Sequence, residues 1–292
     1  MRSLFFKEFL SSLLRKRPNR TQMGRDARKS FKRRKEFSFS KVMLVISLLF
    51  LLLPLVLIIV YSFNKDKGAQ FTGFSLQWYK ELFFDSPALW KAVLNSIIIA
   101  LSSAAVSTVL ATLAAVGVSR YRFAGRRFIQ TVSYLPMVMP EVIIGVSTVL
   151  FFAKIGLQLG LFTIFLAHVT FCLPFVFLTI MTRLDEFDVS VIEAAKDLGA
   201  DERTTLLKIV IPIIMPGILS GYLMAVTLSM EDFVITFFVS GPGSTTLPLY
   251  IYSLIRFGIT PAVNALALFI LLSICLVVFT LRKFLKTLAS SR

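Results

Sequence analysis

The sequence predicts an all-α membrane protein with six transmembrane helices and both termini in the cytoplasm. Three observations predict it. Apolar residues make up 56% of the 292 positions and mean hydropathy is +0.79, more apolar surface than a soluble domain of this length buries. Six stretches are long and apolar enough to cross a hydrocarbon core, which takes about 20 helical residues. The basic residues between those stretches alternate in the way that sets orientation.

The net charge of +16 is uneven. Residues 1–41 carry fourteen Lys and Arg against Glu8, Asp26 and Glu36, and the rest of the chain carries eighteen basic against thirteen acidic residues. A pI near 10.2 would suit a nucleic-acid binder. Charge gathered beside a first apolar run instead marks a membrane tail, so nucleic acid is not an expected partner. That first run starts at Val42, is too long for the core of a signal peptide and has no small-residue cleavage site after it, so no cleaved leader is expected. Cys172 and Cys275 lie inside apolar runs and imply neither a disulfide nor a metal site.

In chain order, residues 4–14 space Leu4, Phe5, Phe9 and Leu13 helically between Lys7, Glu8, Ser11 and Ser12. They read either as an amphipathic helix on the membrane surface or as a tail without fixed structure. Residues 15–36 are dominated by Arg and Lys and suit disorder or adsorption to anionic membrane lipids. Residues 1–41 thus form a basic cytoplasmic tail before a six-span domain at 42–281. The expected spans are 42–62 with a kink at Pro54, 93–118 rich in Ala, Ser and Thr, and 131–153 interrupted by Pro136 and Pro140. They continue with 161–182 containing Pro174, 213–239, and 262–281. Proline inside spans is tolerated when neighbouring helices cover the freed backbone, which points to a packed bundle.

The tail puts 64–91 outside, and Arg120, Arg122, Arg126 and Arg127 then fall inside, as their charge requires. By the same alternation 154–160 and 240–261 lie outside, and 185–212 and the 282–292 tail lie inside. Residues 75–84 read as an interfacial helix with Trp78 and Tyr79 at headgroup level. Residues 240–261 are too short and broken to span and read as a re-entrant or interfacial segment.

The 185–212 loop is polar, net acidic and internally capped. Ser190 and Glu193 have capping-box spacing, Gly199 can end a helix in the left-handed region, and Asp201 can cap a second helix running into Pro212. The first helix exposes small Ala194 and Ala195 beside Glu193, Lys196 and Asp197, which lets another backbone come close and suits docking to a partner.

Glu193-Ala194-Ala195, three residues, Gly199, nine residues, then Ile209, Ile211 and Pro212 resembles the signature of the permease subunits of ABC importers. Ile211 stands where that family more often has Leu. The resemblance runs from about Ser38 to the end of the sixth span and is strongest to permeases of spermidine/putrescine importers. It is carried by 120–125, 168–175, 187–199, 228–233 and 263–267. It implies that Glu193, Ala194, Ala195, Asp197 and Gly199 belong to a coupling helix, between spans four and five, that docks in a cleft of an ATP-binding subunit. It also implies a second homologous permease, a dimer of that ATPase and an extracytoplasmic polyamine-binding protein. ATP and magnesium would be held by the ATPase, with no cofactor in this chain. The chain is therefore expected not to be an enzyme, and it has no phosphate-cradling GxxxxGK[ST] of its own.

Carboxylates inside spans are costly and mark substrate paths. Glu141, Glu231 and Asp232 qualify. Counting about 1.5 Å per residue from Thr131 puts Glu141 near the middle of the third span. A polyamine entering from outside needs carboxylates to replace the water around its ammonium groups. For Glu231 and Asp232 a gating or helix-packing role is the rival. For His168 and Asn264 the expectation is satisfaction by a neighbouring helix. Tyr134 and Phe151 are aromatic candidates for the path. An importer for another small solute (an opine, an aminophosphonate or ferric iron) fits the same loop. A self-sufficient secondary transporter would show internal repeats, and the first and last three spans show none.

Overall fold

The computed structural model describes residues 39–68, 70–186, 188, 190–256 and 261–290. The segment 4–14 and the basic stretch to residue 38 lie outside the described residues. The chain divides into two compact units at Leu57 and Ile58.

Most of helix α1 (Phe39–Tyr61) belongs to the first unit. It forms on an unbroken apolar run whose mean hydropathy is 3.3 over Lys41–Tyr61, with Pro54 inside it. In hydrocarbon such a segment can satisfy its backbone only within itself, which makes it a helix.

The second unit opens on a loop built around Asn64. Its buried amide accepts the Thr72 N–H at 2.8 Å and donates to the carbonyls of Asp66 at 3.0 Å and Gln70 at 2.8 Å. Helix α2 (Gln77–Phe84) follows. Its Trp78, expected at headgroup level, is 8% exposed and donates its indole N–H to the Asn64 carbonyl at 2.9 Å. The indole is a strut between helix and loop because its N–H needs a partner once buried.

Three long helices form the core: α3 (Pro87–Arg120), α6 (Leu161–Asp185) and α8 (Glu202–Glu231). One face of α3 repeats small residues, Ala100, Ser103, Ala104, Ser107, Ala111 and Ala115, all fully buried. Small side chains let neighbouring backbones approach, the usual source of helix adhesion in lipid. Against them α6 brings Cys172, Val176, Phe177 and Ile180, and α8 brings Ile214 and Ala225. At Gly221 of α8 a Cβ would come within 2.9 Å of Val176 Cγ1, so only glycine permits this approach.

Two expected spans are broken. Residues 131–153 are not one helix: α4 (Arg126–Val138) and α5 (Glu141–Lys154) meet at 112°. The bend falls at Met139 and Pro140, both extended, with ψ of 136° and 133°. Proline drives the residue before it out of the helical region, whereas Pro136 is accommodated inside α4. The depth count from Thr131 along a straight rise therefore does not apply to Glu141. The expected span 213–239 begins earlier and ends earlier. Its helix α8 starts at Glu202, passes through a wider π-helical turn at Leu206–Val210 and stops at Glu231. Asp232 is extended, and a short helix α9 (Val234–Val239) follows and packs on α5.

After α9 the chain turns and forms α10 (Leu247–Arg256). The turn is held to α3 by the Asn95 amide, which donates to the Thr245 carbonyl at 2.9 Å, and by Ser96 Oγ, which accepts the Leu247 N–H at 2.8 Å. Helix α11 (Pro261–Ser290) packs on α2. Against six expected spans, α1, α3, α6 and α8 are long and apolar enough to cross a membrane, with a fifth if the bent α4–α5 pair is one span. The described apolar part of α11, Pro261–Leu276, is shorter.

Candidate functional site

The two broken elements meet at a cavity of about 290 Å³. Its lining is Glu141 at the start of α5, Leu228 and Glu231 at the end of α8, Asp232, Phe233 and Val234 around the break, and Phe171 of α6. All three carboxylates singled out in the sequence are thus brought to one place. The candidate aromatics Tyr134 and Phe151 do not line it and are exposed elsewhere. Phe171 and Phe233 stand there instead, and no sequence signal separates them from the other Phe.

The carboxylates differ in what holds them. Glu141 and Glu231 are exposed to the cavity and have no hydrogen-bond or ion-pair partner among the described residues. Glu141 lies in the first turn of α5, where the helix dipole favours an anion. Asp232 is buried. Its Oδ1 accepts the Ile235 N–H at 3.2 Å, and its Oδ2 accepts the Thr236 N–H at 2.8 Å and hydroxyl at 2.7 Å. His168 Nε2 lies 3.1 Å from the same Oδ2. The His168 ring also reaches Ser229 Oγ from Nδ1 at 2.6 Å, and Ser103 donates to Ser229 at 3.3 Å. His168 is therefore satisfied by neighbouring helices, as expected. Its pairing with Asp232 across 64 positions has no signature in the sequence.

At the far end of α8 lies the capped loop. Helix α7 (Ser190–Asp197) begins where Asp188 Oδ1 accepts the Ser190 N–H at 2.9 Å, so a cap is supplied two residues before the expected Ser190. Gly199 has φ +84°, the left-handed geometry that lets its N–H reach the Lys196 carbonyl and the Ala200 N–H reach Ala195. Asp201 caps α8 by accepting the Thr204 N–H at 3.1 Å. These bonds, from Ser190 and Thr204, hold the carboxyls of Asp188 and Asp201 below their ordinary range. Glu193, Ala194, Asp197 and Gly199 are exposed, whereas Ala195 turns inward and is 8% exposed.

Two features of this end escaped the sequence reading. Leu198 is 90% exposed at the tip, an apolar side chain left uncovered among the described residues. Its visible signal is a lone Leu between Asp197 and Gly199. Tyr121, just past α3, donates its hydroxyl to Glu202 Oε1 at 2.5 Å and ties the inner end of α3 to the start of α8. Glu202 in turn raises the Tyr121 phenol above its usual range, chiefly through that bond. No group of metal-ligating side chains occurs among the described residues.

Comparison with known proteins assigns this architecture. The spermidine/putrescine transport system permease protein PotC of Haemophilus influenzae is 42% identical over 233 residues, 79% of this chain and 90% of the relative. PotC of Escherichia coli K12 is 41% identical over 231 residues, 78% of this chain and 87% of the relative. The putrescine transport system permease protein PotI of the same strain is 43% identical over 246 residues, 82% and 87% of the two chains. Among solved structures, a chain of a bacterial ABC transporter involved in the import of the acidic polysaccharide alginate superposes with a TM-score of 0.67 at 18% identity, covering 84% of this chain and 94% of that one. A chain of the MetNI methionine ABC transporter gives 0.54 at 19% identity, covering 70% and 98%. These two share the fold. The model of the binding-protein-dependent transport system inner membrane component matches residues 107–288, and with the identities above it establishes that this chain belongs to that family.

Proposed function

We propose that this chain is a permease subunit of an ATP-driven ABC importer for polyamines such as spermidine and putrescine, embedded as a multi-pass protein in a bacterial inner membrane. The observation that carries the cargo is a match between chemistry and kinship. The cavity at the α8–α9 break holds two carboxylates with no partner among the described residues, Glu141 and Glu231, and the relatives of 41–43% identity are named for spermidine and putrescine transport. A polycation leaving water needs anions to replace its hydration shell, and Glu141 and Glu231 would supply them, with Asp232 at the edge of the same path.

In this reading six spans cross the membrane, α4–α5 as the broken third and α11 as the sixth, with both termini cytoplasmic. The α7 loop is then the coupling helix. Exposed Glu193, Ala194, Asp197 and Gly199, with Leu198 at the tip, face a cleft of an ATPase dimer that holds ATP and magnesium. Ala195 sets the helix against its own chain. A second permease completes the path, and a polyamine-binding protein delivers cargo to the Asn64 loop and the α9–α10 turn. Closure of the ATPase dimer moves α7. Because α8 is continuous from Glu202 to Glu231, that movement reaches the carboxylate cavity at its other end.

A strain lacking polyamine import tests this. Given the chain with its ATPase, second permease and binding protein, it should accumulate labelled spermidine or putrescine, and should stop when the ATPase is omitted. Uptake without the ATPase, or of an unrelated solute alone, would contradict the assignment.

A further inference from the structure

Three carboxylates line one cavity, but their bonding divides them. Hydrogen positions follow from the donors available. Asp232 Oδ2, already reached by the Thr236 amide and hydroxyl, can only accept, so His168 Nε2, 3.1 Å away, carries a proton. Nδ1 lies 2.6 Å from Ser229 Oγ, which Ser103 Oγ approaches at 3.3 Å. Nε2 faces Asp232 Oδ2 at 3.1 Å and Thr236 Oγ at 2.9 Å, and the Thr236 hydroxyl itself donates to Asp232. Asp232 thus receives four hydrogens: the amides of Ile235 and Thr236, the Thr236 hydroxyl and the imidazole N–H. Three of them converge on Oδ2, leaving it no acceptor position, and one falls on Oδ1 of a side chain that is only 2% exposed, so Asp232 turns its charge into the fold. Glu141 and Glu231, with no partner among the described residues, have theirs free.

The place of this network in the fold gives it a task. Ser103 is on α3, His168 on α6, Ser229 on α8 and Thr236 on α9, so one run of buried hydrogen bonds joins four helices. It closes on the residue where α8 stops. Asp232 caps the first turn of α9 with both amide bonds, and that cap fixes how the chain leaves α8. The residues on either side of it, Glu231 and Phe233, line the cavity with it.

We propose that His168 and Asp232 are positioning residues. They lock the α8–α9 break and so aim Glu231 at the cargo path, while Asp232 itself makes no contact with cargo. This rests on the polyamine-permease reading for its uptake readout, and goes beyond it by removing one carboxylate from the ligand set and adding a histidine on another helix that holds the set in place.

Two substitutions remove the same charge from adjacent positions and separate the roles. Asp232→Asn keeps an oxygen for Thr236 and His168 and loses only the Ile235 bond. Glu231→Gln removes a free carboxylate. The assembled importer is reconstituted in proteoliposomes with its binding protein, and ATP-driven uptake of labelled spermidine is measured. Asp232→Asn, which keeps most of the bonds at the break, should lower uptake by only about threefold, and Glu231→Gln by about tenfold or more, the scale of a charge-assisted contact. His168→Gln, which keeps a donor for Asp232, should stay near Asp232→Asn, whereas His168→Leu and Asp232→Ala should each fall with Glu231→Gln. The double variant His168→Leu with Asp232→Ala should be no worse than either alone, because one network has been broken once.

Equal losses for Asp232→Asn and Glu231→Gln would overturn the proposal, since charge at 232 would then act on cargo directly. Full uptake by His168→Leu would overturn it as well. If the parent importer moves no polyamine, the functional reading fails, yet the proposal is still read from melting temperatures of the assembled complex. Asp232→Ala and His168→Leu should lower them non-additively, and additive shifts would reject the coupling.

Discussion

At the scale of single residues, the chain handles charge inside an apolar protein in two ways. Asp232 is buried and surrounded by donors, whereas Glu141 is exposed to a cavity at a helix start with no partner among the described residues. A carboxylate kept unpaired in such a place needs compensation, which on the proposed function comes from the incoming cargo. Glu141→Gln should therefore reduce spermidine uptake by about tenfold, the loss of one charge-assisted contact, while the ATPase still co-purifies with the permease. Unchanged uptake would remove Glu141 from the path. The capping aspartates carry a pH dependence. Asp188 and Asp201 have folded-state pKa values below the ordinary one, so their contribution is present above the unfolded value, near about 4, and is lost as pH falls through the folded value. Hydrogen-exchange protection of the Thr204 amide, corrected for intrinsic rate, should be flat above about pH 4 and fall below it. Asp201→Ala should remove that fall and lower protection throughout. Asp201 was legible as a cap and Glu141, Glu231 and Asp232 as acids inside expected spans from residue type alone. What held Asp232 was not, because His168 and Asp232 are joined by folding and not by spacing.

At the scale of elements, local chemistry explains what the sequence revealed and what it hid. Gly199 was legible as a helix end because φ +84° is a geometry that side chains resist. Gly199→Val should disrupt the turn between α7 and α8, abolishing ATPase co-purification or leaving ATP hydrolysis that no longer drives uptake. Normal binding and uptake would refute the docking role of this loop. Leu198→Glu should weaken ATPase co-purification without altering the fold, since a side chain 90% exposed supports nothing in its own chain. The bend between α4 and α5 was half legible. Pro136 and Pro140 both marked it, but only Pro140 has its preceding residue extended, while Pro136 is absorbed within α4. The break at Asp232 was hidden. The apolar run continues through it into Val234, Ile235 and Phe237, and hydropathy reads on where the backbone stops being helical.

At the scale of the molecule, α8, packed on the small-residue face of α3, runs from the capped loop to the carboxylate cavity. The capped α7 loop, proposed as the coupling helix, lies at the start of α8 and the carboxylate cavity at its finish. Orientation follows from the alternation of basic loops, so a cysteine introduced at Lys196 should react with a membrane-impermeant reagent only in inverted vesicles, and one at Lys65 only in intact spheroplasts. The reverse pattern would overturn the topology. The central claim is that ATP hydrolysed by a separate subunit moves a polycation past Glu141 and Glu231. Its most direct measurement is uptake of labelled spermidine by proteoliposomes holding the complete importer, with and without ATP, for the parent and for the Glu141→Gln/Glu231→Gln double variant. Uptake that requires ATP and collapses in the double variant, with the complex still assembled, is the expected result. Undiminished uptake by the double variant, or uptake indifferent to ATP, would contradict the account.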